Sequence, residues 1–509
     1  MRQRNEQRYL YILAFVSGTV SLGVELSASR LLAPYFGESH PVWAAIIGLI
    51  LLYLTVGYFL GGRWADRSPH PATLYQIVAW AGLLVGLIPF AARPILLLTR
   101  WGLTDLNLAL ILGPFVAVLL LFSAPVTLLG CVSPFVIRLL IDRVERAGNV
   151  AGRTYAISTA GSLLGTLLPV FLLVPVLGTR NTFVALALLL MGIALGGLFR
   201  VAPRRALLYL WMPLALILLS LGLPAHSIKP QEGVIFEAES AYNYIQVVEQ
   251  DGWRYLYLNE GLGIHSVYKP GMERARGTWD YFLIAPFFNP PPFPPERIES
   301  LAMIGLAGGT VPKQYTRFFG PIPIDGVEID PEIVEVGRRY FAMTEPNLNV
   351  IVADGRAFLS RSSRRYTVVG IDAYRLPYIP WHLTTVEFFQ EVRDHLTEDG
   401  VVAVNVGHTR DYRLVETIAA TLEQVFPSVH AIDVPGSLNT ILVATVQPTE
   451  PENLLANRSL MDDPILQQIA EEAWANLREI EPGPLVLTDD RAPVEMLTHL
   501  VVVSYLLGR

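Results

Sequence analysis

The chain has 509 residues, of which 52% are hydrophobic and 16% charged, with a net charge of −7. That charged share falls well below the ~25% of an average soluble protein, and the acidic balance with no dense Lys/Arg run argues against nucleic-acid binding. The only cysteine, Cys131, excludes an intrachain disulfide and a multi-cysteine metal site.

The N-terminus, "MRQRNEQRYLYILAF", is basic and then apolar. Further apolar segments follow, so it reads as a first membrane helix rather than a cleaved leader. Seven such segments, near 9–33, 41–62, 73–98, 106–131, 154–177, 181–199 and 205–224, fill residues 1–225. Each approaches the ~20 residues that a helix needs to cross a bilayer. Segment 106–141 is too long for one simple span, and Pro114, Pro125 and Pro134 predict a kink or an end outside the membrane. With the N-terminus inside, the cytoplasmic loops hold Arg2, Arg4, Arg8, Arg63, Arg67, Arg138, Arg143, Arg146, Arg153, Arg200, Arg204 and Arg205. The other side holds Arg93, Arg100 and Arg180, a strong positive-inside bias. Glu25 and Arg30, in or near the first span, are costly at membrane depth and mark a functional site, the alternative being a structural ion pair between helices or snorkelling at the span's end. "GYFLGGRWADR" (Gly57 to Arg67) resembles the loop between the second and third helices of major-facilitator transporters.

From about Pro230 the apolar runs shorten. "SAYNYIQVVEQDGWRYLYLNEGLGIHSVY" predicts two or three strands with "QDGW" as a hairpin turn, and "NPPPFPPE" (Asn289 to Glu296) a stiff linker. These make a small β-region over 226–295. Strand signals then alternate with helical ones: "SLAMIGL", "IPIDGVEID", "NVIVAD", "YTVVGIDAY" and "GVVAVNVG". That alternation predicts an α/β Rossmann-like domain over 296–447, with a helical extension over 448–509.

Ligands of such sheets bind at the carboxyl ends of the strands. The first strand is followed by Gly305, Gly308 and Gly309, which allow close backbone approach at a helix N-terminus. Glu328 ends the second, roughly 20 residues on, where an acid can accept both ribose hydroxyls. Asp354 and Gly355 end the third, and Asp372 the fourth. The acids can also cap the helices that follow, but four polar strand ends in series point to a nucleoside site.

"VEID … ADG … DAY … TTVEFF", preceded by a β-region with "LNEG", resembles the spermidine synthase (polyamine aminopropyltransferase) family over roughly residues 235–445. The membrane half, with "RLLAPYFG", "GGRWADR" and "SPFVIRLL", is similar to bacterial proteins in which several spans are fused to such a domain, as is "LTDDRAPVE" near the C-terminus. The resemblance implies a methyltransferase-type Rossmann fold and aminopropyl transfer from decarboxylated S-adenosylmethionine to a polyamine such as putrescine, with no metal and no nucleic acid. Glu328 then matches the ribose-binding glutamate, Asp354 and Gly355 the adenine-side pair, and Asp372 the proton acceptor from the attacking amine. Asn243 aligns with a cofactor-contacting glutamine, and Asp280 with an acid of the substrate site.

Three positions depart from the family pattern. Arg375 replaces a second loop acid, Gly308 an aspartate that holds the cofactor's amine, and Trp279 a histidine. Each lost charge-assisted contact weakens amine binding by about 1.5–3 kcal/mol. Tyr374 or Tyr242 is expected to assist Asp372, and Glu260, His265 and Asp280 to replace the missing acids if the β-region folds over the sheet, with a loop or surface place the alternative for His265. Asp489 and Asp490 are a further source of charge. Arg375 suits a ligand carboxylate, which keeps open S-adenosylmethionine itself with methyl or aminocarboxypropyl transfer. A transporter or sensor that binds a polyamine or nucleoside without turnover also stays open, as does a homodimer. The lipid bilayer is the partner of the first half. Seven spans from a cytoplasmic N-terminus leave the second half outside, whereas adenosyl compounds are made inside. The sequence leaves that side unresolved.

Overall fold

The computed structural model describes residues 2–36, 40–101, 106–223, 231–259, 263–374, 379–408, 411–481 and 483–498. The chain divides into two compact units, residues 1–231 with 237–244, and 232–236 with 245–509.

The first unit is helical. It contains α1 (Arg2–Phe36), α2 (His40–Arg67), α3 (Pro71–Trp101), α4 (Leu106–Gly130), α5 (Val132–Leu140), α6 (Ala147–Leu168), α7 (Val174–Val201), α8 (Pro203–Leu207) and α9 (Trp211–Gly222). Among the described residues, six helical stretches are long and apolar enough to cross a membrane. The seven apolar segments yield six because Val144–Val201 is one helical stretch of 58 residues. It is interrupted at Gly178, whose φ of 76° and ψ of 165° are not helical. An unbroken helix of that length would run about 87 Å, nearly three times a ~30 Å hydrocarbon core; the glycine divides it into two spans. Segment 106–141 breaks between Gly130 and Val132 rather than at a proline. Pro134 sits in the first turn of α5, where a missing N–H costs nothing. The nine residues of α5 reach about 14 Å, too short for a crossing of their own.

Small residues let α1 and α6 touch backbone to backbone. A Cβ at Gly165 would lie 2.1 Å from the carbonyl oxygen of Thr19, one at Gly161 2.0 Å from that of Phe15, and one at Gly18 2.1 Å from that of Ser158. Such stripes are how helices associate where lipid competes with every apolar contact. Gly165→Ala is therefore expected to cost about 1–2 kcal/mol, read as a lower Tm of the detergent-solubilised chain. Arg30, at the far end of α1, donates to the carbonyl of Ala241, in keeping with a charge at the span's edge.

The second unit is built on sheets. The strands β1 (Val234–Glu239), β2 (Tyr244–Gln250), β3 (Trp253–Leu258) and β4 (Ile264–Tyr268) form a sheet in that order. The β2–β3 turn carries Asp251 at φ 52° and Gly252 at φ 76°, the left-handed pair that a two-residue hairpin needs to match strand twist. The proline-rich segment read as a linker is packed. Phe293 is fully buried, its N–H donates to Asn457 at 2.9 Å, and Asn289 donates to the carbonyl of Asp399 at 2.8 Å. Proline rigidity holds this segment, but the burial of Phe293 makes it part of the core.

The main sheet contains β5 (Leu301–Ile304), β6 (Ile324–Glu328), β7 (Leu348–Val352), β8 (Tyr366–Ile371), β9 (Leu396–Gly407), β10 (Ser428–Asp433), β11 (Asn439–Thr445) and β12 (Leu477–Arg478), ordered β12-β10-β11-β9-β8-β5-β6-β7. Strands β5 to β9 pair in parallel, and β10 to β12 are antiparallel. Helices α10 (Thr278–Ile284), α11 (Thr310–Phe319), α12 (Pro331–Tyr340), α13 (Gly355–Leu359), α14 (Val386–Asp394), α15 (Arg413–Leu422), α16 (Glu452–Arg458) and α17 (Pro464–Ala475) accompany the sheet. This is the α/β, methyltransferase-like architecture. The chain order reverses at β5, flanked by β6 and β8, so the crevice of such a sheet opens at the carboxyl ends of β5 and β8.

Candidate active site

A cleft of about 1330 Å³ opens in the second unit, lined by Trp253, His265, Trp279, Asp372, Tyr374 and Asn405 among others. The glycine turn after β5 reaches it at Ala307. Gly305 at φ 88° and Gly309 at φ 82° give that turn its shape. A Cβ at Gly305 would stand 2.4 Å from the backbone oxygen of Asp372, so the turn and the end of β8 touch only because residue 305 has no side chain. Gly308 donates its N–H to Ser266 Oγ at 2.8 Å. A Cβ there would press at 3.0 Å on Ser266 and Phe341, a physical reason why a longer side chain is disfavoured in this chain.

Glu328 braces the same turn. Its carboxylate accepts from the N–H of Ala307 at 2.9 Å and of Asp330 at 3.1 Å. Burial raises its pKa to about 7, against the pull of those N–H groups. Asp354 caps α13 by accepting from the N–H of Ala357 at 3.0 Å, and meets His382 Nε2 at 2.9 Å. Burial pushes its carboxyl up, but the Ala357 N–H and His382 outweigh that and hold it below the ordinary carboxylate range. Gly355 is required beside it, since a Cβ would stand 2.4 Å from Ile304.

Asp372 faces the cleft. Asn405 Nδ2 donates to its Oδ1 at 2.8 Å. Burial raises the Asp372 pKa to about 6, with Asn405 pulling the other way. Asn405 is held in turn by Asn439, 2.9 Å away, and Asn439 by Ser437 at 2.6 Å. This chain fixes the rotamer of the carboxylate. The sequence reading missed it; its one signal was a polar Asn405 inside the apolar strand "GVVAVNVG". Tyr374 has a different place from the expected one. Its hydroxyl donates to the carbonyl of Asn405 at 3.0 Å and accepts from the N–H of Gly407 at 2.5 Å, and burial pushes its pKa far up. These two bonds tie Tyr374 to the end of β9.

The other residues expected at the substrate site have varied places. Asp280 is fully buried, its oxygens taken by Arg274 and Gln314 at 2.7 Å each. Arg274 also holds Glu472 at 2.7 Å. Tyr242 and Asn243 belong to the first unit, in a turn where Ser240 Oγ accepts both N–H groups. Glu260 and Arg375 lie outside the described residues. His265 does line the cleft; burial drops its pKa to about 4, leaving a neutral ring, and among the described residues no group pairs with its Nε2. Asp489 is drawn into structure: Arg356 grips it with two bonds of 2.8 Å and Thr385 donates to it at 2.7 Å. Asp489→Asn is expected to cost ~1 kcal/mol, read in the urea midpoint.

A family model for the spermine/spermidine synthase domain matches residues 301–457, the stretch that contains Gly305, Glu328, Asp354 and Asp372. Residues 301–457 are a spermine/spermidine synthase domain. The synthase domain and its surroundings are similar to a probable polyamine aminopropyl transferase of Bifidobacterium longum (strain NCC 2705), 31% identical over 289 residues, 52% of this chain and 63% of that protein. A polyamine aminopropyltransferase of Vibrio vulnificus (strain CMCP6) is 29% identical over 272 residues, 51% of this chain and 85% of that one. An eEF1A lysine and N-terminal methyltransferase of Mus musculus is 29% identical over 174 residues, 32% of this chain and 24% of that one. The chain thus spans less than two thirds of the Bifidobacterium protein's length.

Proposed function

We propose that the chain is a membrane-anchored aminopropyltransferase that uses decarboxylated S-adenosylmethionine as donor and a polyamine such as putrescine as acceptor. The observation that carries this is Asp372: a carboxylate at a strand end, facing a large cleft, fixed by Asn405, with its pKa raised to about 6 by burial. The synthase domain and the two aminopropyltransferase relatives support the same reading.

In this reaction the acceptor's amine nitrogen forms a bond to a donor carbon while the carbon–sulfur bond breaks. The electron pair stays on sulfur, and a neutral thioether, methylthioadenosine, leaves. Such a leaving group needs no acid. The proton lost is the nucleophile's, and a carboxylate with a raised pKa takes it more readily than an ordinary one. Glu328 would hold the ribose, Asp354 the adenine side, and the glycine turn lets the nucleoside approach the backbone. Tyr374 is a positioning residue, and positioning supplies much of the remaining rate. Release of methylthioadenosine by the purified chain, dependent on putrescine, tests the reading. Silence with every amine tried, alongside tight nucleoside binding, would favour a binding protein.

A second reading, S-adenosylmethionine with methyl or aminocarboxypropyl transfer, draws on the methyltransferase relative and on Arg375. Calorimetry with both nucleosides separates the two: preference for the decarboxylated form excludes a carboxylate clamp. The six long apolar helices support a multi-pass protein of the cell membrane with its N-terminus in the cytoplasm.

A further inference from the structure

Contacts within the first unit fix which helix ends share a face. At one end Tyr9 Oη donates to the carbonyl of Ile193 at 2.6 Å, and Arg200 lies 4.0 Å over the Tyr9 ring. The rings of Tyr9 and Tyr75 are 5.9 Å apart, and Arg153 lies 5.3 Å over Tyr11. Asp66, just before the turn into α3, pairs with Arg138 at 3.0 Å. The starts of α1, α3 and α6 and the ends of α2, α5 and α7 therefore lie together.

The opposite end is stitched just as firmly. Arg180 lies 4.8 Å over Phe90 and donates to the carbonyls of Ser220 and Leu223 at 3.1 and 3.0 Å. Thr179 donates through its N–H and hydroxyl to Glu239 at 2.8 and 2.7 Å, and Arg30 donates to Ala241. From Thr179 to Arg200 the helix rises about 32 Å, a full hydrocarbon thickness. The 203–223 segment starts beside the end of α7 and finishes beside Arg180, so it makes a complete crossing. Residues 239–241, in the first unit's last segment, 237–244, remain at that far end, and from residue 245 on the chain belongs to the second unit. Among the described residues after them there is no candidate span.

The charges orient the bundle. The Tyr9 end holds Arg8, Arg63, Arg67, Arg138, Arg143, Arg146, Arg153, Arg200, Arg204 and Arg205, against Arg30, Arg93 and Arg180 towards the other. That excess belongs in the cytoplasm. We propose that the synthase domain works on the non-cytoplasmic side of the membrane, and that its cleft takes donor and acceptor from that compartment. The inference rests on the membrane reading above and is independent of which group is transferred. An adenosyl donor formed in the cytoplasm must be exported before it reaches the cleft.

Single-cysteine labelling of the full chain in intact bacterial cells tests this. In a Cys131→Ala background, Gln250→Cys and Asp394→Cys report the second unit, and Glu145→Cys reports the arginine-rich end; all three positions are exposed. A membrane-impermeant maleimide is expected to label positions 250 and 394 without permeabilisation, and position 145 only after it. Any pattern in which 145 reports the same side as 250 and 394 overturns the proposal, as does labelling of 145 alone. The readout is blind to turnover, so an inactive enzyme leaves this result standing, and a cytoplasmic domain leaves the reaction assignment standing.

Discussion

Asp372→Asn is expected to lower kcat for methylthioadenosine release by about 10²–10⁴-fold, the usual share of a positioned proton acceptor. The substitution keeps the shape of the side chain and an oxygen for Asn405 Nδ2 to donate to, but removes the base. In the wild type, burial raises the pKa of this carboxyl to about 6 from 3.8. The ionised form is the competent one, so kcat at saturating donor should rise with pH through about 6 and then level, and that limb should vanish in the variant. Stability runs the other way. Because the folded pKa lies above the unfolded one, the native state binds the proton more tightly, and stability falls as pH rises from 3.8 to about 6. At pH 7 the buried charge is a liability that Asn lacks, so the Tm of Asp372→Asn should equal or exceed that of the wild type. A variant both inactive and markedly less stable would point to a structural acid instead.

The sequence revealed some layers of this molecule more readily than others. Every strand of the parallel sheet was legible, because short apolar runs ending in Gly, Glu or Asp alternate with amphipathic helices such as "DPEIVEVGRRYFA". The polar strand ends were legible because the carboxyl end of each strand is where such a fold meets its ligand. Partners distant in sequence were not. Nothing local says that Asp280 will be spent on Arg274 and Gln314, or that Asp489 will be claimed by Arg356, 133 residues away. Tyr374 looked like a proton-handling group from its nearness to Asp372; only the fold shows its hydroxyl bound to Asn405 and Gly407. The two spans around Gly178 were visible as separate apolar segments. The form of the break between them, a single glycine at φ 76°, was not, since hydropathy sees the loss of apolar residues but not a positive φ.

Glu328 presents a second large effect, on binding rather than turnover. Its carboxylate accepts from the N–H groups of Ala307 and Asp330, and each oxygen keeps a lone pair for a ribose hydroxyl. Gln cannot reproduce this, because its NH₂ must face one of the two backbone donors. Glu328→Gln is expected to weaken donor and methylthioadenosine binding by about 10–100-fold, or roughly 1.4–2.7 kcal/mol, measured by calorimetry at pH 8. With its pKa raised by burial to about 7 from 4.5, the wild-type acid is largely protonated at pH 6 and can accept fewer hydroxyl bonds. Nucleoside affinity should therefore increase from pH 6 to pH 8 in the wild type and stay flat in Glu328→Gln. Equal affinities of the two proteins at pH 8 would mean that Glu328 only braces the glycine turn, and that other residues hold the ribose.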